Sequence, residues 1–157
     1  MVFAEGDAKE VERGIRILRD VDSRKRPLAV VSEQDLLEWC DQEPQTRYAA
    51  IATVITAYQR PSESSPAQWT SIALRFLERA PDPSAILTEF VAQFNPGGWS
   101  GSLAAILASN AALLDQLGAY PQLSAAVAEE KARLQQWIDE QKRRETAMDR
   151  QRDERFE

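Results

Sequence analysis

The stretch Leu36-Leu37-Glu38-Trp39-Cys40-Asp41-Gln42-Glu43-Pro44-Gln45-Thr46-Arg47-Tyr48-Ala49-Ala50-Ile51-Ala52 puts two apolar helical runs on either side of a proline corner. Proline at the first position of a helix costs nothing, because that residue's N–H has no partner inside the helix. The same device recurs at Ser65-Pro66, Asp82-Pro83 and Tyr120-Pro121. Four such starts, separated by tight breaks, predict an all-α chain of antiparallel helical hairpins laid side by side.

Working outward, a first helix is predicted from about Asp7 to Asp20, with Val11, Ile15 and Leu18 on one face. The strand-like run Leu28 to Val31 has a local explanation. Ser32 can cap a helix, Asp35 stands three residues on, and Leu36 can staple back onto Val31. A helix is therefore expected from Ser32 through Cys40. Pro44 opens the next, with Tyr48, Ile51, Ala52, Ile55 and Tyr58 on one stripe. After the polar loop Gln59 to Ser65, Ser65 and Gln68 form a capping box around Pro66. That box introduces a face of Trp69, Ile72, Ala73, Phe76 and Leu77.

Asp82 is read as the cap of a further helix carrying Ile86, Leu87, Phe90, Val91 and Phe94. Leu103 to Leu117 forms an alanine-rich helix stopped by Gly118, and its small residues suit a central position. The last helix starts near Pro121 or Ser124, with Leu123, Val127, Leu134, Trp137 and Ile138 as its apolar stripe. Beyond Ile138 the stripe fails. Asp139 to Glu157 interleaves both charge signs, with Asp139–Arg143, Glu140–Arg144 and Arg150–Glu154 at helical spacing. The expected organisation is a helical-repeat domain over 1–138 and a solvated helical extension over 139–157.

Composition narrows the function classes. The 157 residues carry a net charge of −6, which argues against general nucleic-acid binding, since that needs clustered Lys and Arg to displace counterions. Charge is uneven along the chain. Arg13, Arg16 and Arg19 share a helix face, Arg24-Lys25-Arg26 follows, and no basic residue stands between Arg79 and Lys131. Each such run reads as a solvated face. The most apolar run, Leu103 to Leu114, is interrupted by Ser109 and Asn110 and is too short to cross a bilayer. With no signal peptide visible after Met1, a cytoplasmic protein is expected.

Chemistry is scarce. The absence of histidine removes Ser-His-Asp and Cys-His pairs, His-ligated metals and the usual neutral-pH base together. The single cysteine, Cys40, lies among apolar neighbours and is expected to be buried and inert. Asp35, Glu38 and Asp41 lie close on one helix, where surface exposure explains them more cheaply than a functional cluster. No enzyme activity, metal or cofactor is expected.

Two features remain as candidate sites. The loop Gly97-Gly98-Trp99-Ser100-Gly101-Ser102 opens onto a helix N-terminus and could cradle an anion or small ligand through Gly97, Gly98, Ser100, Gly101 and Ser102. The simpler expectation is a sharp turn in which Ser100 or Ser102 caps the helix and Trp99 packs back over it. The charged extension is the second candidate, a docking arm in which Arg143, Arg144, Arg150 and Phe156, together with Trp99, meet a protein partner.

Leu36-Leu37-Glu38-Trp39-Cys40 followed by Arg47-Tyr48-Ala49-Ala50-Ile51-Ala52 resembles a HEAT-like helical pair. The ending from Trp99-Ser100-Gly101-Ser102 through Leu113-Leu114 to Arg155-Phe156-Glu157 resembles the C-terminal ends of large bacterial HEAT-like repeat proteins. This resemblance implies a short α-solenoid-type stack with a long charged C-terminal helix, acting as a scaffold or interaction module. A protein partner or self-association is expected, as part of a larger bacterial assembly, with no nucleic acid and no membrane.

Overall fold

A computed structural model describes residues 31–62 and 64–156. The predicted helix over Asp7–Asp20 and the basic runs before Val31 lie outside the described residues. The described chain is mostly helical. Its elements are α1 (Glu33–Gln42), α2 (Pro44–Ala52), β1 (Tyr58–Gln59), β2 (Gln68–Trp69), α3 (Ser71–Arg79), α4 (Pro83–Ala92), α5 (Leu103–Asp115) and α6 (Ser124–Glu154). Two 3-10 turns, Gln116–Ala119 and Pro121–Leu123, connect the last two helices. The chain divides into two compact units. One comprises 31–59 with Trp69–Phe90, and the other Arg60–Gln68 with the chain from Val91 onward.

In the first unit, Ser32 caps α1 by accepting the Asp35 amide at 3.1 Å, and Pro44 opens α2. Leu37, Cys40, Ile51, Ala52, Ala73, Phe76, Leu87 and Phe90 are fully enclosed. Tyr48 meets Phe76 edge-on at 4.9 Å between ring centres. Asp82 caps α4 through the Ala85 amide at 3.2 Å.

The predicted α2 stripe overruns the helix by six residues. Thr53-Val54-Ile55-Thr56 is a run of four β-branched side chains, whose restricted χ1 freedom disfavours further helical turns. α2 accordingly closes in a tight turn, with the Val54 amide donating to the Ile51 carbonyl, and Tyr58 enters β1. The capping box at Ser65–Gln68 is also not formed, because Gln68 and Trp69 pair with β1 as a minimal ladder. Thr70 is the cap instead. Its hydroxyl accepts the Ala73 amide at 3.3 Å and donates to the Thr56 carbonyl at 2.7 Å, so α3 starts five residues after Pro66.

In the second unit, α5 and α6 form the most extensive packing between helices. α5 buries Leu103, Ala104, Leu107, Leu113 and Leu114, and α6 buries Leu134 and Ile138. Val127 and Trp137, placed in the core by their spacing, are only half-buried. Asn110 is enclosed with its polar atoms matched: it donates to the Phe94 carbonyl at 3.1 Å and accepts from Arg60 at 2.9 Å. Pro121 opens a 3-10 turn, and α6 proper begins at Ser124. It then runs unbroken through Ile138 for 31 residues, about 46 Å at ~1.5 Å per residue.

Leu107 is fully enclosed whereas Trp99 is 53% exposed. Urea denaturation should therefore show Leu107→Ala costing ~2–5 kcal/mol, as deletion of a buried branched side chain does. Trp99→Ala should stay within about 0.5 kcal/mol of the parent. An equal loss for the two variants would contradict the placement of this core.

Candidate functional site

No helix among the described residues is long and apolar enough to cross a membrane. No group of three His, Cys, Asp or Glu among them could hold a metal ion. The three clustered carboxylates of α1 are drawn into separate contacts or stay in solvent. Asp41 accepts the Tyr48 hydroxyl at 2.5 Å and pairs with Arg79, Glu38 accepts from Gln34 at 2.8 Å, and Asp35 is exposed. The Asp41 hydrogen bond and burial raise the Tyr48 phenol well above its ordinary pKa, burial being the larger cause.

Burial pushes the Cys40 thiol up to about 12, with the Asp41 charge adding to it. A thiol so raised holds almost no thiolate at neutral pH and is a poor nucleophile. Arg47, also buried, is held by structure. Its guanidinium lies 4.3 Å from the centre of the Trp39 ring, donates to the Trp39 carbonyl at 2.8 Å and to Gln42 at 3.1 Å, and stands 3.5 Å from Glu43. These contacts pin α1 to α2.

The loop 97–102 has a definite construction. Gly101 has φ +80°, a left-handed conformation that a β-carbon makes costly, so the sharpest bend falls where glycine stands. Ser102, rather than Ser100, caps α5 by accepting the Ala105 amide at 3.1 Å. The same hydroxyl donates to the Glu145 carboxylate at 2.7 Å, and the other Glu145 oxygen accepts the Ala104 amide at 3.1 Å. The free N–H groups that could have served an anion are thus met by a carboxylate from α6. The Ser102 hydroxyl, followed by the Ala104 and Leu103 amides, holds the Glu145 carboxyl below its usual pKa.

Trp99 is not enclosed against the helix. It stands 53% exposed just before α5, while Gly97, Gly98 and Ser100 are exposed beside it. Met148, one turn beyond Glu145, is 62% exposed, and Phe156 beyond the end of α6 is 86% exposed. These are the three large apolar side chains left in solvent among the described residues, and all belong to the second unit. Two lie beyond the α5–α6 clasp and the third just before it.

The predicted arginines lie on α6 in different electrostatic states. Arg144 pairs with Glu140 at 2.5 Å, whereas Arg143 donates to the Asp139 carbonyl rather than its carboxylate. Arg150 makes no ion pair among the described residues; Arg152 pairs with Asp149 instead. Lys142, Arg143, Thr146, Ala147 and Arg150 line a shallow dent of about 310 Å³ on one side of the helix. Met148 and Glu145 were missed by sequence reasoning. Their only local signal is the three- and four-residue spacing that continues Leu134, Ile138 and Gln141 through Glu145 to Met148.

No protein-family model, curated protein or solved structure matches the chain.

Two measurements test this geometry. Because the native Glu145 pKa lies below its unfolded value, the clasp contributes fully above the ordinary carboxylate range and is lost as pH falls through the native pKa. Thermal melts taken from neutral to acid pH should show the parent losing more stability than Glu145→Gln; parallel profiles would contradict the clasp. Cys40 should react with a thiol-specific disulfide reagent at mildly alkaline pH only on unfolding, and fast labelling of the native chain would contradict its burial.

Proposed function

We propose that this chain is a non-enzymatic, HEAT-like helical interaction module, acting in the cytoplasm as a component or C-terminal part of a larger bacterial assembly. It holds a protein partner at the α5–α6 end. The observation that carries this reading is the placement of the exposed apolar residues. The described core is otherwise closed, yet Trp99, Met148 and Phe156 remain in water. Large apolar side chains left exposed among charged neighbours suit a protein contact.

Supporting this, the carboxylates of the first unit are engaged by neighbouring side chains or dispersed, and its one thiol is buried and raised. Beyond Glu145 the chain offers apolar area among charges of both signs, guanidinium groups included, which suits an interface.

Affinity capture from the source organism tests the reading. The parent chain should retain a reproducible partner. The triple variant Trp99→Ala, Met148→Ala, Phe156→Ala should lose it while keeping its melting temperature. Capture unchanged by the triple substitution would move the interface elsewhere and overturn the proposal.

A further inference from the structure

The end of α6 is a helix whose packing seam continues after its partner helix has stopped. Leu134 and Ile138 are buried on a helix that packs with α5, and Gln141 and Glu145 are half-buried at the next positions of the same progression. Glu145 meets the first turn of α5, so the next seam positions, Met148 and Arg152, lie beyond the start of that helix. From Glu145 to Glu154 the overhang is about 14 Å at ~1.5 Å per residue. It ends in Arg155 and the exposed Phe156. Among the described residues this end of the seam is left exposed at Met148 and Phe156.

We propose that a second copy of this chain covers it. The overhangs of two molecules pair antiparallel about a two-fold axis near Arg152, each Phe156 resting on Met148 and Trp99 of the other copy. This rests on the interaction-module reading and names its partner.

Charge order selects the occupant. From Asp149 to Arg155 the overhang carries three acids and three bases, so a partner of one sign would gain at some positions and lose at others. Parallel pairing of two copies would set Asp149 on Asp149 and Arg155 on Arg155, with like charges facing throughout. Antiparallel pairing with Phe156 opposite Met148 sets Arg155 opposite Asp149, twice over by symmetry. The one like-charged match is Arg152 on itself at the axis, and each Arg152 is already paired with Asp149 of its own helix. Asp149 and Arg155, six residues apart, lie on different sides of the chain, so the Arg155 of the other copy would join Arg152 as a second cation on the Asp149 carboxylate.

The contact area is small, confined to one short helical segment and three apolar anchors. Association is therefore weak, below the size class of stable dimers.

Sedimentation velocity of the purified full chain over a concentration series is the test. The parent should pass from monomer to dimer as concentration rises. Phe156→Ala and Met148→Asp should each weaken dimerisation about tenfold or more. Asp149→Arg and Arg155→Asp should each do the same, and the double reversal should restore association. Helix content followed by circular dichroism keeps a melted overhang from being mistaken for a lost contact. Because the double variant also lacks the Asp149–Arg152 pair, recovery reports contact between molecules and not helix repair. A monomer at every concentration, or a double reversal no better than its parents, overturns the proposal. If the purified chain stays monomeric while capture from the source organism still depends on Trp99, self-pairing fails and the interaction-module reading stands.

Discussion

The second unit depends on how the first turn of α5 is closed. A helix N-terminus leaves amide hydrogens without partners and carries a partial positive charge, so something must meet it. Here Ser102 takes one amide, while Glu145, from a helix far along the chain, takes another together with the Ser102 hydroxyl. That contact fixes which residues of α6 face α5 and how far α6 extends beyond it. The buried Leu134 and Ile138 set the side; Glu145 sets the register.

The same clasp answers what the glycine-rich loop does. Gly101 supplies the left-handed bend, Ser102 supplies the cap, and the anion that complements the helix end is a side chain of the protein itself. An external anion would have to displace a carboxylate already held by several hydrogen bonds. Trp99 is then left as the residue the loop construction does not use, and its exposure joins it in character to Met148 and Phe156. The loop is a structural corner with an exposed tryptophan beside it.

Much of the helical layout was legible because its signals are local. Ser32, Pro44, Asp82 and Ser102 act within one turn of the helices they open, and cap and proline chemistry is short-ranged. Two of the misread boundaries fell where another local rule prevailed. The β-branched run after Ala52 ended α2 before its apolar stripe did, and Thr70 displaced Ser65 as a cap because its hydroxyl also reached the Thr56 carbonyl. The candidate site was legible only in part. Exposed Trp99 and Phe156 stand out as aromatic residues with polar or small neighbours in sequence. Glu145 does not, since a carboxylate in a charged helix looks alike whether it faces water or a helix end 41 residues away.

This difference bears on how the mixed-charge end of α6 should be understood. A solvated helix satisfies its charges within itself at three- and four-residue spacing, as Arg144–Glu140 and Arg152–Asp149 do. Were solvation the whole role of the segment, its seam positions would be polar as well. Instead Met148 occupies one, and Phe156 follows the last turn, each presenting apolar area to water at a cost that hydration alone does not offset. Internal ion pairs meet part of the charge of this segment, while Met148 and Phe156 are left exposed beside it. A segment with this pattern, internal ion pairs beside exposed Met148 and Phe156, is what the proposed weak contact between molecules would use.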